Sequence, residues 1–215
     1  MSDEVVVVVA GGDPPALAAA LAVPLGAPVV AADKGLEHAL ALGLEVTVAV
    51  GDFDSASPEA VELAEAAGVR IERHPGEKDA TDLELALDVG ATMSPSRILV
   101  LASDNGRLDH LLSAAVLLAS DRYARWQVDA FFGEAHVHVV RGERDLEGAP
   151  GELITLLAVN GPAEAVRTEG LVYPLRGETL EPGSSRGVSN VFADPTARVA
   201  VEQGVLLAIR PGSDK

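Results

Sequence analysis

The first half of the chain alternates short apolar runs with segments of helical pattern, and this alternation limits the fold more than any other feature. The runs are rich in Val, Ile, Leu and Ala, which is typical of strands buried on both faces of a parallel sheet. Because strands that alternate with helices form parallel sheets with right-handed crossovers, we expect an α/β domain with three layers, α/β/α, around a mainly parallel sheet. Five strands are predicted: Glu4–Ala10, Ala27–Ala32, Glu45–Val50, Val69–Arg73 and Arg97–Ala102.

The pattern changes after Asp121, where helical periodicity gives way to short strands separated by Gly, Pro and Asn. This spacing predicts a small all-β sandwich. The segments Gly142–Asp145 and Gly148–Gly151 resemble linker, so we predict an α/β domain over residues 1–141 and a sandwich over 150–215. Predicted strands are Gln127–Phe132, Ala135–Arg141, Glu152–Val159, Ala163–Thr168, Val172–Leu175, Ala197–Glu202 and Val205–Ile209.

Four carboxylates lie at predicted strand and helix ends. Asp52 and Asp54 directly follow the third strand, and their i, i+2 spacing gives both side chains one direction. Asp79 and Asp82 share one face of the next helix start. Any one of them alone is explained by helix capping, but the four together favour a Mg²⁺ site, because Mg²⁺ takes oxygen ligands and shares them with substrate phosphates. In parallel sheets ligands bind beyond the carboxyl ends of the strands, where Asp33 is also expected.

Composition excludes several classes of function. The 215 residues include no Cys, which rules out disulfides, thiolate metal sites and Cys nucleophiles. The net charge of −17 argues against nucleic acid and anionic membranes as partners. No apolar run reaches membrane length and the N-terminus shows no signal peptide, so we expect a cytoplasmic protein.

A third polar segment contains Arg107 and His110 at the start of an apolar helix. Backbone N–H groups at a helix start favour anions, and an arginine fork fits phosphate oxygens. Together with the carboxylates, this arrangement is typical of a phosphoryl-transfer site, although no Walker A motif is present. The small-residue loop Gly183–Asn190 is, by composition alone, an ordinary turn-rich loop.

These motifs resemble the thiamine pyrophosphokinase (thiamine diphosphokinase) family. The family's elements are matched, in order and spacing, over nearly the whole chain. They are Asp33-Lys34-Gly35, Gly51-Asp52-Phe53-Asp54-Ser55, Lys78-Asp79-Ala80-Thr81-Asp82, Gly106-Arg107-Leu108-Asp109-His110 and the C-terminal element Ser184–Asn190.

The resemblance implies an enzyme that moves a pyrophosphoryl group from ATP to the hydroxyethyl oxygen of thiamine, giving thiamine diphosphate and AMP. It also implies a homodimer in which thiamine lies between one subunit's α/β domain and the partner's sandwich. Catalytic roles fall to Asp52, Asp54, Asp79, Asp82 and Arg107, the four aspartates also holding Mg²⁺. ATP contacts fall to Asp33, Lys34, Lys78, Arg107, Asp109 and His110, and thiamine contacts to Ser185, Ser189 and Asn190.

The chain departs from the family pattern at two positions, Asn105 in place of a usual Gly and Val191 in place of a frequent Glu. The general base stays open between Asp79 and Asp82. Three alternatives also stay open: a related pyrophosphokinase acting on another alcohol such as a hydroxymethylpterin, a non-catalytic binding protein for thiamine diphosphate or a nucleotide, and a structural module with capping aspartates.

Overall fold

A computed structural model describes residues 4–212 and contains two compact units. Within the described residues, the first unit runs to Ala114 and includes Trp126–Glu134. The second comprises Ala115–Arg125 and the residues from Ala135 onward. The domain limits predicted from the sequence, 1–141 and 150–215, remain a prediction.

The first unit is a parallel sheet of six strands in the order β6-β5-β1-β2-β3-β4, and all five strands predicted in this half are present. The strands are β1 (Val5–Val9), β2 (Val29–Ala32), β3 (Val46–Gly51), β4 (Arg70–Arg73), β5 (Arg97–Ala102) and β6 (Gln127–Phe132). The helices are α1 (Gly35–Ala41), α2 (Pro58–Ala66), α3 (Asp82–Thr92) and α4 (Leu108–Leu118), the last contributing residues to both units.

The run of valines in β1 explains the three layers. Val5, Val7 and Val9 form a buried cluster with Ala39 of α1. Val6 and Val8 point to the opposite face, where a Cβ at Gly90 of α3 would lie 3.1 Å from Val6. Because side chains alternate across a strand, α1 and α3 cover opposite faces of the sheet, and the predicted α/β/α arrangement is confirmed.

The second unit contains two antiparallel sheets, in the orders β12-β9-β14-β7 and β11-β10-β13-β8. Its core includes Leu146, Ile154 and Phe192, all at most 1 % exposed. The fold therefore has the predicted all-β second part. The strands are β7 (Ala135–Val140), β8 (Glu143–Glu147), β9 (Leu153–Ala158), β10 (Ala163–Glu169), β11 (Arg176–Leu180), β12 (Asn190–Val191), β13 (Thr196–Ala200) and β14 (Leu206–Arg210).

Two sequence-based assignments in this unit are wrong. Gly142–Asp145, predicted as linker, enters β8, which pairs with β13 and buries Leu146. Its charged residues misled the prediction because they lie on the exposed face, where Asp145 pairs with Arg198. Val172–Leu175, predicted as a strand, is a turn that contains Pro174, and the strand begins at Arg176 instead.

No helix within residues 4–212 combines the length and apolar character needed to cross a membrane.

Candidate active site

Three carboxylates converge at the carboxyl edge of the parallel sheet. Asp33 follows β2, Asp52 follows β3, and Asp82 is the first residue of α3. One oxygen from each lies within 4.8 Å of the others. We call Asp33, Asp52 and Asp82 the carboxylate cluster.

Two glycines let these backbones approach so closely. A Cβ at Gly51 would lie 3.1 Å from the Cα of Asp33 and 3.2 Å from Asp82 Oδ1, so a larger residue would push the cluster apart. A Cβ at Gly35 would lie 2.2 Å from the carbonyl oxygen of Val9, a distance at which atoms overlap. The glycine therefore allows α1 to start against β1 only two residues after Asp33.

Asp33 has an energetically unfavourable backbone conformation and environment. Its backbone is left-handed, with φ of 49°, and the residue is only 9 % exposed. The Ser55 hydroxyl donates a hydrogen bond to Oδ2, whereas the buried Oδ1 accepts none from the described residues. Because a buried carboxylate oxygen without a partner is unfavourable, and strained residues concentrate at functional sites, Asp33 is a candidate cation ligand. Three carboxylates and an unsatisfied oxygen fit the ligand preference of Mg²⁺.

Lys78 supplies the positive charge that the cluster has in this structure. Its Nζ lies 2.9 Å from Asp82 Oδ1 and 3.6 Å from Asp52 Oδ2, and the side chain is 13 % exposed. Desolvation lowers the pKa of Lys78, but its ion pairs with Asp82 and Asp52 outweigh this and raise the pKa overall.

Asp52 and Asp54 have opposite electrostatic environments. The pKa of Asp52 is lowered, first because the backbone N–H of Asp54 donates to its Oδ1 at 3.2 Å and then because Lys78 is near. The pKa of Asp54 is raised, chiefly by the negative charge of Asp52 and less by Asp33 and Asp82. The exposed Asp54 thus borders the cluster, and Phe53 between them is also left-handed, with φ of 59°.

Asp79 does not join the cluster. Its side chain is exposed and has neither an ion pair nor a hydrogen bond with the described residues. Thr81, rather than Asp79, caps α3, accepting a hydrogen bond from the N–H of Glu84 at 3.2 Å. The predicted metal set of Asp52, Asp54, Asp79 and Asp82 therefore remains a prediction, and the geometry favours Asp33 over Asp79.

Residues 104–107, which directly precede α4, are all exposed. Arg107 and Asp109 pair with each other, with Nε 3.2 Å from Asp109 Oδ1, and the arginine brings the pKa of Asp109 down to about 2.

The amide of Asn105 donates to Asp104 at 3.0 Å, so its side chain turns back along its own loop. A Cβ at Gly106 would lie 2.8 Å from Asp13 Oδ2, which places this loop beside the turn after β1. His110 and Lys34 have no ion pair with the described residues.

In the second unit, Ser185 and Ser189 are exposed and Asn190 is buried. The Asn190 amide donates to the carbonyl of Tyr173 at 2.8 Å, and its oxygen accepts from the N–H groups of Tyr173 and Val191 at 3.1 and 2.9 Å. Its hydrogen-bonding capacity is thus largely used by the backbone. Ser189 has φ of 56° and its N–H donates to Thr155 Oγ1 at 3.0 Å.

Comparison with known families identifies both halves of the chain. Residues 27–128 match the model "Thiamin pyrophosphokinase, catalytic domain", and residues 137–206 match "Thiamin pyrophosphokinase, vitamin B1 binding domain". The chain belongs to the thiamine pyrophosphokinase family. The carboxylate cluster and Arg107 lie within the first match, and Ser185, Ser189 and Asn190 lie within the second.

Individual members of the thiamine pyrophosphokinase family are similar over most of their length. A thiamine pyrophosphokinase from Bacillus subtilis is 27 % identical over 183 residues, covering 84 % of this chain and 86 % of the relative. The crystal structure of a thiamine pyrophosphokinase from Bacillus subtilis superposes with a TM-score of 0.84 at 25 % identity, covering 98 % of this chain and 100 % of that one. The crystal structure of a thiamin pyrophosphokinase family protein from Enterococcus faecalis gives a TM-score of 0.81 at 26 % identity, covering 98 % of this chain and 99 % of that one.

Three features of this thiamine pyrophosphokinase family member were not predicted from its sequence. Asp33 was predicted as an ATP contact and not as part of the carboxylate cluster, although its position after β2 was a usable signal. Ser55 and Tyr173 were not singled out. No sequence pattern indicates that Tyr173, which is 59 % exposed, is held in place by Asn190.

Proposed function

We propose that the chain transfers a pyrophosphoryl group from ATP to the hydroxyethyl oxygen of thiamine, producing thiamine diphosphate and AMP. The observation that carries this proposal is the convergence of Asp33, Asp52 and Asp82 in a chain that matches both parts of the family.

Mg²⁺ would be held by the carboxylate cluster, with Asp54 beside it. When bound, it would neutralise charge on the ATP phosphates, which is a large part of phosphoryl-transfer catalysis. Asp33 and Asp82 fix the position of the site through β2 and α3, and Ser55 orients Asp33 by donating to its second oxygen.

The exposed side chains around the cluster would bind the nucleotide. Arg107 would exchange its pairing with Asp109 for phosphate oxygens, since both side chains are more than half exposed and the pair is easily opened. Lys34 and His110 are also among the residues predicted to contact ATP. Asp79 is the better candidate for accepting the thiamine hydroxyl proton, because its carboxylate is exposed and unpaired whereas Asp82 belongs to the cluster.

Thiamine would lie against an exposed apolar face of the second unit. Val172, Tyr173 and Val188 are 48, 59 and 45 % exposed. Val188 directly precedes Ser189 in the chain, and Asn190, which directly follows it, is hydrogen-bonded to Tyr173. The aromatic ring of Tyr173 suits a cationic heteroaromatic substrate. The predicted homodimer, its shared thiamine site and the cytoplasmic location remain predictions.

The test is an assay of the purified chain with thiamine, ATP and Mg²⁺ that follows AMP and thiamine diphosphate together. Equal amounts of both products are expected. Asp33→Asn should reduce turnover by about 100-fold or more, because it removes charge at the centre of the cluster. Asp194→Asn, an exposed carboxylate of the second unit without an ion pair among the described residues, is the matched control and should retain full activity.

Other outcomes separate the alternatives. AMP formed with a hydroxymethylpterin but not with thiamine would support pyrophosphoryl transfer and contradict thiamine as the substrate. Binding of thiamine diphosphate without any AMP formation would favour the non-catalytic alternative.

A further inference from the structure

Lys78 lies in the turn between β4 and α3 and is directed at the carboxylate cluster. The turn itself passes close to Asp52, since a Cβ at Gly76 would lie 3.1 Å from Asp52 Oδ2. From this turn the Lys78 side chain reaches two members of the cluster, Asp82 at 2.9 Å and Asp52 at 3.6 Å. The ammonium group therefore sits where oxygens from two different elements meet.

We propose that Lys78 is an exchangeable counter-cation that competes with the divalent metal for the carboxylate cluster. In the metal-free chain its ammonium group neutralises Asp52 and Asp82, and it leaves these oxygens when the metal enters. The inference rests on the proposed function in taking the cluster as the metal site.

Competition follows from the short distances. Mg²⁺ binds carboxylate oxygens at about 2.0–2.1 Å. An ammonium group held at its present 2.9 Å from Asp82 Oδ1 would then face the metal across a shared ligand, and the two positive charges would repel each other. Little water separates the groups to screen this repulsion, because the Lys78 side chain is 13 % exposed and those of Asp52 and Asp82 are 19 % and 28 % exposed.

Lys78 can leave without disturbing α3. It precedes the Thr81 cap of the helix, and its only ion pairs among the described residues are those with Asp52 and Asp82. Its four-carbon stem is flexible, so rotation about side-chain bonds can release the ammonium group towards solvent while the backbone stays in place. Once released, the ammonium group is available at the same edge of the sheet for an anionic ligand such as a phosphate.

Metal binding to the nucleotide-free chain tests the proposal without relying on turnover. Mn²⁺ alone is titrated into wild type, Lys78→Met and Arg70→Gln, and the free ion is measured by electron paramagnetic resonance. Lys78→Met should bind Mn²⁺ about tenfold or more tightly, because the competing charge is gone. Arg70→Gln removes a charge from the opposite end of the sheet and should leave the affinity unchanged, since Arg70 pairs with Glu72 at the start of β4.

A second measurement uses the wild-type side chains and so does not depend on whether Lys78→Met folds. Acylation of Lys78 is followed by peptide mass spectrometry with and without Mg²⁺. Displacement predicts several-fold faster acylation of Lys78 when Mg²⁺ is present. In Asp33→Asn, which keeps both Lys78 ion pairs but weakens the metal site, Mg²⁺ should not accelerate the reaction.

Equal or weaker Mn²⁺ binding by Lys78→Met, or acylation of wild-type Lys78 that ignores Mg²⁺, would overturn the competition. The proposed function is judged separately by AMP and thiamine diphosphate formation in wild type. If wild type is active and binds Mn²⁺ with the same affinity as Lys78→Met, the result would contradict only the proposed role of Lys78 and not the proposed function.

Discussion

Two aspartates that are only two residues apart differ in what they contribute to the folded chain. Asp52 accepts a backbone hydrogen bond and lies near Lys78, which lowers its pKa, whereas the like charge of Asp52 raises the pKa of Asp54. A carboxyl with a lowered pKa stabilises the fold above its ordinary pKa and loses that contribution as the pH falls through the lowered value. One with a raised pKa opposes folding at neutral pH and ceases to do so as the pH falls.

Substitution of these two residues should therefore change stability in opposite directions in the metal-free chain. Asp54→Asn should raise the Tm at pH 7, because it removes a repelled charge, and Asp52→Asn should lower it. The difference between wild type and Asp54→Asn should shrink as the pH is lowered through the raised pKa of Asp54. Thermal unfolding in the presence of a chelator, at pH 7 and at successively lower pH, measures both effects.

Both variants should nevertheless lose pyrophosphoryl transfer by about 100-fold or more, since each removes charge at the proposed metal site. Asp194→Asn again serves as the control for both readouts. A decrease in Tm for Asp54→Asn would show that its carboxylate makes a favourable contact, and it would contradict the electrostatic account.

At the scale of elements, Asn190 joins the short strand β12 to the turn that carries Tyr173. Its side chain is buried and forms three hydrogen bonds with backbone groups. The family resemblance implies that Asn190 contacts thiamine directly, and the geometry instead supports an indirect role in which it positions Tyr173.

Asn190→Ala should lower the free energy of unfolding by about 2–3 kcal/mol, because it removes three partly buried hydrogen bonds to backbone groups. Urea denaturation measures the loss, and Ser185→Ala, at an exposed position of the loop before β12, should change stability by less than about 0.5 kcal/mol. Tyr173→Ala should weaken thiamine binding while leaving stability nearly unchanged. An unaltered unfolding free energy for Asn190→Ala would return Asn190 to the set of direct contacts.

The strands predicted correctly from the sequence include those that are fully buried in the parallel sheet. Strands such as Val5–Val9 consist of uninterrupted apolar residues, and such a run predicts a strand that is buried on both faces. β8 was missed because only Leu146 is buried along it, and the alternation is hidden among charged residues. The members of the carboxylate cluster were each found, but their grouping was not, because it depends on which strands are neighbours and on the close approach at Gly51.

At the scale of the whole molecule, separate family models match the catalytic part and the vitamin B1 binding part of the chain. The resemblance implies that thiamine binds between one subunit's α/β domain and the sandwich of its partner. If so, each complete site needs an intact carboxylate cluster from one chain and an intact thiamine face from the other.

Mixing two inactive variants tests this arrangement. Asp33→Asn disables the cluster, and Ser189→Lys places a positive charge where cationic thiamine is expected. After unfolding and refolding together in equal amounts, random dimers should regain about one quarter of wild-type activity, because half of them are mixed and each mixed dimer has one intact site. Each variant refolded alone is the control, and no recovery in the mixture would place both contributions in one chain.

The close approaches at Gly35 and Gly51 bear on how relatives of this chain are recognised. Both glycines belong to the short signatures that mark the family, yet what they provide is room: one for the carbonyl of Val9, the other for the backbone of Asp33. Loss of the aspartates would abolish the proposed chemistry, but the carbonyl of Val9 and the backbone at position 33 would still need that space. A descendant that has abandoned catalysis would thus keep both glycines, and a search of genomes that scores them equally with the aspartates would count it as an active enzyme.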